Sequence, residues 1–218
     1  MSRDARREET RHRLYQCALT VFRRDGVMEC RIDDIARAAG VSRGIFYFHF
    51  PTREHVLIAR MRETEDQICS AIDALPPNAS TDRVLEVLVA EVAAIWEPDP
   101  ALLVEVCSAG LRLAATAMDD QESTRMRATL AARFRAGVER GEISTRLPPE
   151  MLSDLYLGHL LVALLAWRGR RELSLALFLA GTTDLFWAGA RAKQEVLDAD
   201  KETLHPERET LHPERETR

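Results

Sequence analysis

The sequence predicts an all-α fold of about nine helices. Three observations lead there. Apolar residues recur at helical spacing from Leu14 almost to the C-terminus. The breaks between the runs carry helix-stopping residues: Asp25-Gly26, Gly40, Pro51, Leu75-Pro76-Pro77-Asn78, Glu97-Pro98-Asp99-Pro100, Met118-Asp119, Gly141, Pro148-Pro149 and Arg168-Gly169-Arg170. No run alternates apolar and polar residues with the β-branched enrichment of a strand.

Leu14, Cys17, Ala18, Val21 and Phe22 stand at i, i+3, i+4, i+7 and i+8, one stripe on a first helix that Asp25-Gly26 ends. Ile32, Ile35, Ala36 and Ala39 form a short second stripe, followed by Gly40. Ser42 is a good N-cap for a third short helix, with Phe46 and Phe50 four apart and facing inward. Pro51 stops it, and Thr52 can cap a fourth helix from Arg53 to about Ala74. Five further helices are expected at about 81–96, 99–115, 120–140, 149–168 and 172–193.

Composition narrows the class. The chain has 218 residues, 46% of them hydrophobic, and a net charge of −5, which suits a folded protein rather than a disordered one. Residues 1–55 hold 11 Arg, no Lys and 8 acidic residues, a balance of +3, so the remainder stands at −8. A basic head on an acidic body fits a polyanionic partner for the head alone. Cys17, Cys30, Cys69 and Cys107 form no C-x-x-C pair and no His stands at zinc-finger spacing, which argues against structural zinc. The charged start MSRDARREETRHR has no apolar run of a secretory leader, so a reducing cytoplasm is the expected setting. No motif for a bound cofactor or metal is found.

The segment Gly40-Val41-Ser42-Arg43-Gly44 fits the G-x-S-x-G of a hydrolase nucleophile elbow. That motif requires a buried strand before its serine. Here the preceding residues, IDDIARAA, have helical spacing and two consecutive acids. Short helix, glycine turn and short helix instead describe a helix-turn-helix, with Gly40 taking positive φ and Val41 plugging the gap. Four aromatics and a histidine in five positions, Phe46 to Phe50, cover both faces of the second helix. A purely structural surface would seldom expose Tyr, Phe and His together, so a covering partner is implied.

From about Arg11 to Leu57 the residues CALTVFRRDG, IDDIARAAGVSRGIFYFHF and PTREHVL resemble, without gaps, the DNA-binding head of the tetracycline-repressor (TetR) family. By position, the resemblance implies that Ser42 and Tyr47 hold DNA phosphates. Arg43, Gly44, Phe48 and His49 would lie in the major groove, with Ile45 and Phe48 able to touch a thymine methyl. Arg53 would meet a phosphate at the start of the fourth helix. The chain departs from the family in having Cys30-Arg31 where a capping hydroxyl is usual. A weaker cap is expected there, at a cost of about 0.5–2 kcal/mol, with Arg31 replacing the hydroxyl as a phosphate contact.

The implied layout is a DNA-binding head over residues 1–52, a ligand-binding and dimer-forming body over 53–198 and a tail over 199–218. LYLGHLLVALLAW and LSLALFLAGTTDLFWAG are nearly apolar on all sides, yet each is too short or interrupted for a membrane span. They read better as a pair through which two copies associate over about 149–193, with Gly158, Ala163, Ala166, Ala176, Ala180 and Gly181 allowing close approach. The family body implies an unidentified small-molecule effector. Trp96, Glu105, Arg112, Met118, Met126, Phe134, Tyr156 and His159 are the candidate lining residues, although Met and aromatic residues at such spacing are more often core. The tail repeats ETLHPER from Glu202 and from Glu209, and its prolines forbid a continuous helix. The expected function is a dimeric, ligand-released repressor on a palindromic double-stranded operator. The alternatives are an activator or a partner-controlled regulator, and, remotely, a hydrolase using Ser42.

Overall fold

A computed structural model describes residues 2–116, 124–144, 147–170 and 172–190. Met118, the duplicated tail and the last residues of the expected final helix lie outside them. The described residues form helices and no strand.

Helix α1 runs Arg3–Asp25. It begins well before the apolar stripe, because Ser2 caps it by accepting from Ala5 N at 3.1 Å and no breaker follows until Gly26. The stripe marks only the buried part: Leu14, Tyr15, Ala18, Leu19, Val21 and Phe22. Gly26 ends the helix at φ 83°, a conformation that favours glycine.

Helices α2 (Ile32–Ala38) and α3 (Arg43–His49) follow. Arg31 stands at the N-cap of α2 and gives no side-chain cap, as the missing hydroxyl predicts. Gly40 takes φ 66°, and Val41 N donates back to Ala36 O at 3.0 Å, which closes the turn. Ser42 caps α3 by accepting from Ile45 N at 3.4 Å. Phe46 and Phe50 are both buried, although Phe50 lies just past the helix in extended backbone.

Helix α4 (Arg53–Asp73) does not take the expected side-chain cap from Thr52. The Thr52 hydroxyl pairs with His55 Nδ1 at 3.0 Å instead. α5 (Thr81–Trp96), α6 (Pro100–Thr116), α7 (Arg125–Glu139), α8 (Pro149–Trp167) and α9 (Leu175–Ala190) complete the order. α9 starts later than the apolar run because Ser174 accepts from Leu177 N and sets the first turn.

α4 packs against α5, α6 and α7, and α8 lies between α7 and α9. The body centres on Phe134, which meets Tyr156 edge-on at 6.1 Å and stacks on Trp187 at 5.8 Å. By length and composition alone α8 could cross a bilayer. One of its faces is packed into this core through Leu152, Tyr156, Leu160 and Trp167. α1 touches both α4 and α6, and Arg23 Nε binds Asp99 Oδ2 at 2.6 Å, tying α1 to the α5–α6 turn.

Candidate nucleic-acid interface

α3 is a short helix with one buried residue, Phe46. Because its remaining side chains have no protein face to cover them, Ser42, Arg43, Gly44, Ile45, Tyr47 and Phe48 are exposed and His49 is half-buried. Phe48 is 63% exposed and Tyr47 40%. Leaving two aromatic rings in water forgoes about 1–2 kcal/mol each, which a covering partner would recover.

The ring surfaces are pre-arranged. Tyr47 leans edge-on against buried Phe46 at 5.6 Å. Arg43 lies along the helix, donating to Tyr47 Oη at 3.3 Å and facing Asp33 at 3.6 Å. Phosphate or base contact by Arg43 would therefore exchange two weak, solvent-exposed interactions for a stronger one.

Two residues outside the apolar pattern join this surface. The guanidinium of Arg7 lies 5.0 Å from the Phe48 ring centre, and that of Arg11 lies 5.3 Å from Phe50. They stand four apart on α1, so one helical face brings both cations beside α3. Apolar periodicity does not register them, since they cover aromatic rings from outside. The i, i+4 spacing of two arginines was the available signal. Burial pushes the His49 imidazole below its ordinary value, and the charges of Arg7 and Arg11 push it further.

Arg31 is exposed at the start of α2, where the chain leaves the α1–α2 turn. Arg53 is already engaged: its Nη1 donates to Val27 O at 2.8 Å and to Met28 O at 2.7 Å. It thus clamps the α1–α2 turn to the first turn of α4. Nε and Nη2 carry the further N–H groups that a phosphate would take. Ser42 is a helix cap preceded by α2, not by the strand that a nucleophile elbow requires.

The candidate effector residues do not converge on one space. Trp96 is buried beneath the Arg60 guanidinium, 5.2 Å from the ring centre. Met126 is buried against Cys69, sulfur to sulfur at 4.0 Å. Phe134, Tyr156 and His159 do meet, together with Phe186. Tyr156 shares a hydrogen bond with Thr183 at 3.1 Å, and burial pushes its phenol up to about 12. His159 is half-buried, and its Nε2 is buried without a hydrogen-bond partner among the described residues. Glu105 is half-buried and Arg112 exposed, both on α6. None of these seven lines either of the two described cavities. One, of about 550 Å³, lies at the joint of α1, α3 and α4. The other, of about 260 Å³, lies between α7 and the start of α8.

A short exposed reading helix after a glycine turn, set on an all-helical body, defines a helix-turn-helix regulator. Residues 14–59 match the family of bacterial regulatory proteins described as the tetR family. Over 95 residues the chain is 38% identical to the HTH-type transcriptional regulator SrpR of Pseudomonas putida, covering 43% of each chain. It is 37% identical over 95 residues to TtgW, an uncharacterized HTH-type regulator of P. putida, covering 43% of this chain and 69% of TtgW. The match thus spans less than half the length of SrpR. The fold is similar to that of FadR from Thermus thermophilus, a TetR-family repressor solved with lauroyl-CoA. That likeness has a TM-score of 0.61 at 22% identity, covering 84% of this chain and 96% of FadR. The chain belongs to the TetR family of transcriptional regulators.

Proposed function

We propose that the protein is a repressor that binds a two-fold operator as a homodimer and is released by a small molecule. The observation that carries the DNA-binding half is the exposed set on α3, with Tyr47 and Phe48 uncovered beside Arg43 and Arg7. In this reading Ser42, Tyr47, Arg31 and Arg53 hold phosphates. Arg43, Gly44, Ile45, Phe48 and His49 face base edges. Arg7 adds a cation beside Phe48. Phosphate contacts set register and base contacts set sequence choice.

A second copy is supported by an apolar seam. Met151, Leu155, Gly158 and Val162 line one exposed side of α8. Leu173, Leu177, Gly181 and Leu185 line the neighbouring side of α9 and its lead-in. A Cβ built on Gly158 or Gly181 would meet nothing within 4 Å, so the protomer itself does not need glycine there. Backbone approach by a partner would. Among the small residues read from sequence, Ala163 is buried in the protomer's own core and Ala176 is half-buried against it. A two-fold pair would present its reading helices about 34–36 Å apart, one DNA turn, or a multiple of that.

α4 is the proposed lever, because it carries the Arg53 clamp at one end and packs on α5, α6 and α7 along the rest. The direct test is selection of bound fragments from random duplex DNA. Recovery of a palindromic site that Phe48→Ala and Arg43→Ala no longer retain supports the reading, and failure to enrich any sequence at low salt defeats it. Cross-linking α4 to the body should abolish release by the effector. A partner-controlled regulator gains support from one observation: Phe134, Tyr156 and Trp187 fill the body as packed core. Native mass spectrometry of purified protein separates the two, since a retained small molecule argues for the effector.

A further inference from the structure

The larger cavity lies away from the body residues considered above, at the joint of the reading head and α4. Its apolar lining, or floor, is half-buried Ile58 and Ala59, with buried Phe50 behind them. Around this floor stand Arg11 and His12 of α1, His49 at the end of α3, and His55 and Arg62 of α4. Two carboxylates also reach it, Glu63 and Asp66, but both are already engaged. Glu63 accepts from the Tyr15 hydroxyl and from Arg60 Nη1, and Asp66 accepts from Arg125 Nη1 at 2.9 Å. Arg11 pairs with exposed Glu8 at 3.2 Å and lies over the Phe50 ring at 5.3 Å, and Arg62 faces the charge of Glu65 but forms no hydrogen bond among the described residues. The space is therefore cationic at its rim and greasy at its base. At about 550 Å³ it has the size of a small-molecule site.

We propose that this cleft binds a small organic anion with an apolar body, such as an aromatic carboxylate, its charge between Arg11 and Arg62 and its ring over Ile58 and Ala59. The apolar floor favours such a molecule over a bare DNA phosphate, which would leave the half-buried Ile58 and Ala59 uncovered. Burial first, and then the charges of Arg7 and Arg11, lower the His49 imidazole there. An anion in the cleft touches α1, α3 and α4 at once, and so fixes the angle between the head and its lever. That consequence rests on the DNA-binding reading above, whereas occupancy itself does not.

The test uses the full chain without DNA. The imidazole resonances of His12, His49 and His55 are followed by NMR during titration with 2-naphthoate, 2-naphthamide and inorganic phosphate. Saturable shifts at these three histidines, with a Kd of about 1 mM or tighter, are the expected result for naphthoate. The amide and phosphate should each bind at least ~10-fold more weakly, each having one of the two required parts. Arg11→Gln with Arg62→Gln should weaken naphthoate at least ~10-fold. Ile58→Trp, which fills the floor without touching the charges, should abolish it, and thermal melts of both variants check that they fold. Absence of saturable shifts at the three histidines overturns the proposal. So does equal binding of the amide, equal binding of phosphate, or undiminished binding by folded Ile58→Trp.

Discussion

The seam on α8 and α9 yields a quantitative prediction. Leu177 is 71% exposed and Leu185 is 77% exposed, the two most uncovered leucines on that face. Full burial of a leucine stabilises by about 1.5–3 kcal/mol, and truncation to alanine removes most of the area concerned. With about three quarters of each side chain available to a partner, Leu177→Ala and Leu185→Ala each cost about 1 kcal/mol per copy. A two-fold interface contains each residue twice, so the double variant loses about 4 kcal/mol, close to three powers of ten in dimer Kd. Neither residue supports the protomer core, so the folded monomer should keep its helical content. Sedimentation equilibrium across protein concentrations measures the Kd, and circular dichroism the folding. A change in Kd below ~10-fold would show that α8 and α9 face water, and the homodimer reading would fall with it. Operator binding by the double variant should weaken in parallel, because a single head engages only a half-site.

Other expectations follow from individual residues. Arg31→Ala should lower the slope of log K against log salt by about 0.9, one released counterion, and an unchanged slope would remove Arg31 from the interface. Since the polyanionic field of the duplex favours the imidazolium that burial and the nearby arginines disfavour at His49 in the free protein, operator affinity should rise as pH falls from 8 to 6. His49→Gln should flatten that dependence, and an identical slope in the variant would count against the contact. Gly137→Ala should destabilise by about 1–3 kcal/mol in urea, despite the better helix former. Its Cβ would overlap Thr81 Oγ1 and come within 2.9 Å of Ile143 Cδ1. Glu142 is held at about 2, chiefly by Arg140, with Thr81 donating through N at 2.8 Å and Oγ1 at 2.7 Å. Because its folded value is depressed, its stabilisation is present above about pH 4.5 and is lost as pH falls towards 2. The melting-temperature gap between the parent and Glu142→Gln should therefore close over that window.

Local chemistry determined much of this protein from sequence alone. Apolar stripes, glycines at Gly26 and Gly40 and the hydroxyl cap at Ser42 act over a few residues, so helix order and the exposed face of α3 were legible in the sequence. The lack of a cap at Arg31 was visible for the same reason. Side chains that meet across the chain were not. Arg53 turned to the carbonyls of Val27 and Met28, 25 or 26 residues away, and Thr52 gave its hydroxyl to His55 rather than to the helix. Arg7 reached Phe48 from a stretch of α1 that carries no apolar signal. The cleft over Ile58 and Ala59 exists only because three helices converge, and cavities are the space that packing leaves, which no local pattern encodes. Ala163 and Gly158 look alike in a string of small residues, and only the rotation of α8 against α7 and α9 sends one into the core and the other to the open face.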